Sequence, residues 1–494
     1  MQGYTKNRGL FTDLYQLTMS QGYHALEMEE KEATFDLFFR NNPFNGGYAI
    51  ACGIKTALEY LVNMKFTRED IEYLQEQDMF SDEFLSYLEG FSFTGTVKGI
   101  VDGTVIFPFS PILRITAPII EAQLVETALL NIINYSTLIA TKAARITEAS
   151  RGGNVIEFGL RRAQGDAAYL GTYAALVGGC TGTSFVDGGR QWKVPIVGTH
   201  AHSWVQMFPS ELEAFRAYAK VFPDKCVLLV DTYDTLESGV PNAITVAREL
   251  KERGKKLVGI RIDSGDLAYL SVRAYKQLKD AGFGDASIVL SNNLNETVID
   301  NLTRQITEGT GSTHEDENLR EETIKHLLYG VGTKLITGGK QAALGGVYKL
   351  VAVDGKPKIK ISENVIKTIN PGLKTVHRVK GEDGYLIADV LAIKGERAPL
   401  PGDIIYHPID PYKTYELDDG ITTTALHEVL VDKGKNVAPC KDESWQDAQE
   451  RCKRHLAMVH PTNRRLLNPH SYKVSLTAKL FDLKKRMIEE KQQG

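Results

Sequence analysis

The sequence predicts an α/β protein centred on a barrel of parallel strands with helical crossovers, and two observations carry that prediction. From about residue 154, short apolar runs recur with helix-length segments between most of them: NVIEF, TGTSF, PIVGT, CVLLVD, LVGIRI, SIVLS and LLYGVG. Each run also ends in polar residues. In order these are Arg161 and Arg162; Thr183 and Ser184; Thr199, His200 and His202; Asp231, Thr232 and Asp234; Arg261, Asp263, Ser264 and Asp266; Ser291, Asn292 and Asn293; and Thr333. Consecutive strands with polar C-terminal ends are the layout of a β/α barrel, whose active site gathers on that face. A doubly wound open sheet is the rival, but it concentrates polar ends near one switch point. GVYKLVAV at 346–353 is the candidate eighth strand, the alternative being an irregular barrel of fewer regular units.

Before the barrel, residues 12–28 read as a helix with Thr12 capping its start and Asp13 in the first turn, where the helix dipole favours an acid. ATFDLFFR alternates as a strand, residues 95–120 read as short strands joined by Gly and Pro turns, and a helix follows from Glu121. Within the barrel region, the polar stretch 308–322 is expected to be an exposed insertion. After it the chain turns basic, with Lys356, Lys358, Lys360, Lys367 and Lys374 either solvating an edge strand or serving a site. At the end, Leu476, Leu480, Leu483 and Met487 mark the core face of a helix.

Composition narrows the function classes. The 494 residues, 43% hydrophobic and 24% charged, suffice for two or three domains. A net charge of -4, from 58 Lys and Arg against 62 Asp and Glu, argues against a broad nucleic-acid or anionic-membrane surface. Cys52, Cys180, Cys226, Cys440 and Cys452 contain no CxxC pair, which favours neither a disulfide framework nor a zinc site and points to a reducing compartment. The N-terminus has no apolar core of signal type, and polar residues interrupt the apolar stretch 119–140; a cytoplasmic, unanchored protein is expected.

Three motifs carry chemistry. GTHAHSW at 198–204 places two histidines two residues apart beyond a strand, a spacing suited to metal binding, proton transfer or phosphorylation, and equally to structural hydrogen bonding. RIDSGD at 261–266 packs a guanidinium, two carboxylates and a hydroxyl around a Gly. Arg261 is suited to a bidentate carboxylate clamp. Asp263 and Asp266 are candidates for Mg²⁺ or ribose hydroxyls, and either can instead cap the following helix. LRRAQG at 160–165, with VGT and TGG at 331–339, combines arginines with backbone N–H groups suited to phosphate. Neither GxGxxG nor GxxxxGK[ST] occurs, so no dinucleotide fingerprint or Walker loop is present.

TDLYQLTM (12–19), FGLRRAQG (158–165), GTHAHSW, DTYDT (231–235), RIDSGD, SNNL (291–294), YGVGT (329–333), GGVYKL (345–350) and NPHSYKVSL (468–476) occur in the order found in nicotinate phosphoribosyltransferases, which the chain resembles from near residue 12 to near residue 490. That resemblance implies an irregular TIM-like α/β barrel at 146–345, an N-terminal α/β domain at 1–145 completed by strands from about 345–400, and a returning C-terminal extension within 346–494. It also implies a homodimer with a shared active site and the substrates nicotinate, phosphoribosyl pyrophosphate and ATP, with Mg²⁺ as cofactor. Carried over position by position, Tyr15 stacks on the pyridine ring, Thr199 lies near nicotinate and Arg261 binds its carboxylate. His202 is the histidine phosphorylated by ATP, although His200 stands beside it. Thr333 binds the phosphates of the donor, joined by Arg161, Ser291, Asn292 and Asp263 in phosphate and ribose contacts. The implied alternatives are a nicotinamide or quinolinate enzyme, and from another class a barrel aldolase with Lys334 as its Schiff-base lysine.

Overall fold

The computed structural model describes residues 8–309, 315–437 and 442–493. The chain divides into two compact units, Met1–Thr141 with Lys340–Gly494, and Lys142–Gly339. The first unit opens with the helix Leu14–Ala25 and strands β1 (Glu32–Phe39), β2 (Ala49–Ile50), β3 (Thr96–Gly99), β4 (Val105–Ile106) and β5 (Leu113–Pro118). Thr12 does not cap that helix. Asp13 occupies the N-cap position without a side-chain capping bond, because its carboxylate accepts from the Thr127 hydroxyl at 2.7 Å, while Thr12 Oγ1 donates to the Leu124 carbonyl at 3.3 Å. The entry to the helix is therefore tied to residues 124–127.

The second unit carries β6 (Asn154–Glu157), β7 (Gly182–Thr183), β8 (Val227–Leu229), β9 (Gly259–Ile262), β10 (Ser287–Leu290) and β11 (Leu327–Val331). They form one all-parallel, open half-barrel sheet in the order β7-β6-β11-β10-β9-β8. Six of the apolar runs are strands; PIVGT is not. It pairs with β7 only through a bridge between Thr183 and Ile196, and Ile196 is 58% exposed, so this run has neither a ladder nor a core to bury in. The 308–322 stretch is not wholly an exposed insertion. A helix ends at Glu308, residues 310–314 lie outside the described residues, and Glu317–Lys325 is a helix with Leu319 and Thr323 buried.

The chain then returns to the first unit with β12 (Gly346–Val353), β13 (Lys356–Pro357), β14 (Lys374–Lys380), β15 (Leu386–Ile393), β16 (Ile404–Tyr406), β17 (Thr414–Glu416), β18 (Thr422–Ala425), β19 (Glu428–Asp432), β20 (Lys435–Asn436) and β21 (Lys473–Leu476). GVYKLVAV is thus no barrel strand: β12 runs antiparallel to β1 along its length, with Tyr348 stacked on Phe35 at 4.6 Å. The larger sheet of this unit has the order β13-β12-β1-β5-β3-β19-β20, and a second has the order β17-β16-β21-β15-β14-β18. Central strand β1 is buried at every position after its first.

That burial includes Asp36, whose carboxylate is paired with Arg114 at 2.7 Å and Lys374 at 2.9 Å. Lys374 therefore departs from the basic surface predicted for it, whereas Lys356, Lys358, Lys360 and Lys367 are exposed. Leu476 ends β21, and it is Leu480, Leu483 and Met487 that belong to the helix Ala478–Gln493. The run Ile119–Ala149 is apolar and long enough to cross a membrane, but 67% of its most apolar stretch is buried inside the protein, the property of a core helix.

Candidate functional site

The polar residues that follow the parallel strands converge on one guanidinium. Arg261 lies in β9, where the alternation of side chains turns it away from the buried neighbours Ile260 and Ile262. Its Nε donates to Ser291 Oγ at 2.9 Å, Nη1 to Thr199 Oγ1 at 3.3 Å, and Nη2 to Asp263 Oδ2 at 3.1 Å. Ser291 in turn donates to Asp263 Oδ1 at 2.8 Å. The ends of β9 and β10, together with the segment that carries Thr199, thus hold one planar cation in a single orientation, with its side chain 18% exposed. A guanidinium so held can grip a carboxylate through two parallel N–H bonds.

Phe158 supplies the apolar wall of this arrangement, and sequence reasoning passed it over. The Arg261 guanidinium stands 5.7 Å from the centre of its ring, and the Phe158 N–H donates to the Val331 carbonyl at 2.9 Å. A β-carbon at Gly330 would lie 2.5 Å from that ring, so a glycine there lets the aromatic pack directly against β11. The signal was present in FGLRRAQG, as an aromatic at the very end of a strand. Glu157 was missed as well. It is 1% exposed and receives Thr183 Oγ1 at 2.6 Å, Thr172 Oγ1 at 3.4 Å and the Gly159 N–H, and burial raises its pKa despite these bonds.

The two histidines have different surroundings. His200 is buried; its Nε2 accepts from the Leu229 N–H at 3.2 Å, its Nδ1 faces the Ala201 carbonyl at 3.4 Å, and Tyr218 packs edge-on at 4.8 Å. Burial lowers its pKa, and with both nitrogens engaged by backbone it is a structural residue. His202 opens the short helix His202–Gln206, half-buried, with Nδ1 3.1 Å from Thr232 Oγ1. Among the described residues its other nitrogen has no protein partner.

Asp231 is a second carboxylate of note. Its Oδ2 accepts from the Asp263 N–H at 2.9 Å and from Ser264 Oγ at 2.6 Å, while its Oδ1 is buried and, among the described residues, has no hydrogen-bond partner. Asp266 serves as the N-cap of the helix Leu267–Asp280, accepting from the Tyr269 N–H at 3.1 Å. Among the described residues no group of three or more His, Cys, Asp or Glu stands ready to hold a metal ion.

The remaining residues singled out in the sequence stand outside the Arg261 network. Arg161 is exposed in the turn Leu160–Arg162, and Thr333 is exposed at the start of the helix Thr333–Ile336. Asn292 is exposed with φ 88°, a left-handed conformation that Asn tolerates better than most residues. Tyr15 belongs to the other unit, 48% exposed on the first helix; partial burial and then Glu126 and Asp13 raise its pKa.

Comparison with known proteins gives a consistent answer. Models of the nicotinate phosphoribosyltransferase N-terminal domain, family and C-terminal domain match residues 10–134, 154–392 and 373–484. A nicotinate phosphoribosyltransferase of Bacillus subtilis is 42% identical over 488 residues, 97% of this chain and 95% of that protein. Nicotinate phosphoribosyltransferase 2 of Arabidopsis thaliana is 35% identical, covering 96% of this chain and 93% of its own. The crystal structure of human nicotinic acid phosphoribosyltransferase superposes with a TM-score of 0.80 at 28% identity, covering 96% of this chain and 99% of that one. A Pyrococcus furiosus nicotinate-nucleotide pyrophosphorylase shares the fold, with a TM-score of 0.66 at 19% identity over 91% of this chain and 95% of its own. The motifs, the half-barrel and these matches together place the chain in the nicotinate phosphoribosyltransferase family.

Proposed function

We propose that this protein transfers the phosphoribosyl group of phosphoribosyl pyrophosphate to the ring nitrogen of nicotinate, giving nicotinate mononucleotide and pyrophosphate for NAD salvage. The observation that carries the reading is the Arg261 guanidinium, held by Thr199, Ser291 and Asp263 beside the ring of Phe158. A carboxylate on that clamp fixes the rotation of the pyridine ring, and aromatic stacking, for which Phe158 stands beside the clamp and the family resemblance offers Tyr15, fixes its plane. Oriented in this way, the ring nitrogen attacks with its own lone pair, so positioning suffices and no general base is needed.

Bond breaking at the ribose leaves positive charge shared between its ring oxygen and C1, as in glycoside cleavage. Arg161 and Thr333 contact the phosphates of the donor, with Asn292 and Ser291 toward the ribose. Asp231 and Asp263 offer the hard oxygen donors that Mg²⁺ takes, the buried unpartnered Oδ1 of Asp231 foremost. Held by these carboxylates, Mg²⁺ would supply charge neutralisation for the departing pyrophosphate.

ATP phosphorylates His202, whose second ring nitrogen has no protein partner among the described residues, and the phosphorylated form binds substrates more tightly through its differential affinity for them. The active form is a homodimer in which the first helix of one protomer lends Tyr15 to the other's site; Leu14, Tyr15 and Met19 are exposed on that helix. The parallel sheet is the regular part of an irregular barrel, and the enzyme works in the cytoplasm, where the buried free thiols of Cys52, Cys180, Cys226 and Cys452 persist.

The test is nicotinate mononucleotide formation with and without ATP in wild type and His202→Ala. Product in both, with ATP stimulation confined to wild type, is the expected result. A folded wild type that makes no product from nicotinate, or that prefers nicotinamide or quinolinate, overturns the substrate assignment; equal ATP stimulation in both removes the phosphate from His202.

A further inference from the structure

Glu157 is a buried carboxylate whose hydrogen-bond donors are all neutral: Thr183 Oγ1 at 2.6 Å, Thr172 Oγ1 at 3.4 Å and the Gly159 N–H. Burying a carboxylate without a cation is unfavourable, and a neutral residue of similar shape would fill this position at lower cost to folding. Stability therefore does not explain a glutamate here. Its partners belong to separate pieces of the strand-end face. Gly159 leads directly into the turn that carries Arg161; Thr183 ends β7 and accepts from the Phe185 N–H at 3.0 Å; Thr172 lies in the helix Ala167–Val177. The Glu157 carbonyl adds a bond from the Ser184 N–H at 2.9 Å.

Gly159 also makes a close approach. A β-carbon there would stand 2.5 Å from Ile336, in the short helix that Thr333 opens. A shift of Gly159 by a few tenths of an ångström is thus transmitted both to Arg161 and to Thr333. We infer that Glu157 is a positioning residue for the phosphoribosyl donor: its carboxylate clamps Gly159 and Thr183 so that the Arg161 turn and the Thr333 helix keep the spacing the donor's phosphates require. The inference rests on the proposed reading of Arg161 and Thr333 as the phosphate side of the site. Its carboxylate needs full acceptor capacity, because the Gly159 N–H and both threonine hydroxyls point toward it.

E157Q keeps the shape and replaces one acceptor oxygen with a donor. The expected result is a rise of about tenfold in the KM for phosphoribosyl pyrophosphate, the size of one lost charge-assisted hydrogen bond. The KM for nicotinate stays within a factor of about two, because nicotinate is held by Arg261. Thr183→Val, which removes a single donor and keeps the volume, shows the same selective rise in smaller degree, and E157D fails to restore the wild-type value because its shorter arm cannot span the same donors. Arg161→Ala is measured alongside. If it raises the donor KM while E157Q and Thr183→Val leave that KM unchanged, or raise both KM values alike, Glu157 has no positioning role. If Arg161→Ala leaves the donor KM unchanged, the phosphate side lies elsewhere and the inference falls with it. A wild type inactive with nicotinate marks failure of the functional reading itself.

Discussion

At the scale of single residues, the site is organised by what each polar atom can bond to. Arg261 uses three of its five N–H groups on Thr199, Ser291 and Asp263 and keeps one on each terminal nitrogen for a ligand, which a lysine's compact ammonium cannot reproduce. Arg261→Lys is expected to raise the KM for nicotinate by about ten- to a hundredfold with a smaller change in the donor KM, read by steady-state kinetics with each substrate varied. His200 offers the contrasting case. His200→Phe keeps the packing against Tyr218 but strands the Leu229 N–H, so it should lose about 1–3 kcal/mol of stability in chemical denaturation while ATP stimulation persists. Stimulation lost in His200→Phe and kept in His202→Ala would reverse the two assignments. The residue types of this site were legible in GTHAHSW and RIDSGD. Which histidine is occupied, and that Asp231 keeps an oxygen without a partner while Asp266 caps a helix, were not, because each depends on backbone groups brought from other strands.

At the scale of elements, β1 sits between β5 and β12 with a charged residue at its centre. Asp36 pairs with both Arg114 and Lys374, and burial pushes the Lys374 amine down to about 8 even with that carboxylate beside it. Asp36→Ala leaves two buried cations unpaired and should destabilise the protein by about 3–5 kcal/mol in a denaturant titration. A loss below about 1 kcal/mol would mean that water reaches the pair. Gly159 makes a related point in the parallel sheet: Gly159→Ala should weaken donor binding more than nicotinate binding, because its β-carbon meets Ile336 first. Strand existence was readable from apolar runs, and six of the seven barrel runs are strands. PIVGT misled because a proline and a glycine bracket only two apolar residues, Ile196 and Val197, a run too short to build a ladder once Ile196 faces solvent. GVYKLVAV misled because alternation marks a strand without saying which sheet receives it.

At the scale of the whole molecule, two half-buried histidines are expected to make the fold acid-labile. Burial lowers His427 to about 4, and burial with Arg378 nearby lowers His455 to about 3, from 6.5. The unfolded chain therefore binds more protons than the folded one below the unfolded value. The stability these residues contribute is complete above pH 6.5 and drains away as the pH falls toward 4 and then 3. Asp36 and Glu296, both held below their ordinary values against the opposing effect of burial by neighbouring cations, act in the same direction at lower pH. Thermal melts between pH 7 and pH 4 should show a falling Tm, with a shallower slope in His455→Leu; a flat wild-type profile would mean these histidines are hydrated in solution.

The sequence by itself determined the family and the chemistry on offer. Motif order survives in a linear string, and apolar runs ending in polar residues mark parallel strands whatever their order in space. Tertiary structure decided the rest: the strand order β7-β6-β11-β10-β9-β8, the return of β12 to β1, the occupied nitrogens of His200, and the triple anchoring of Arg261. The physical reason is common to all four. Hydrogen-bond partners and burial are set by residues tens to hundreds of positions away, and no local pattern records which distant donor will meet a given acceptor.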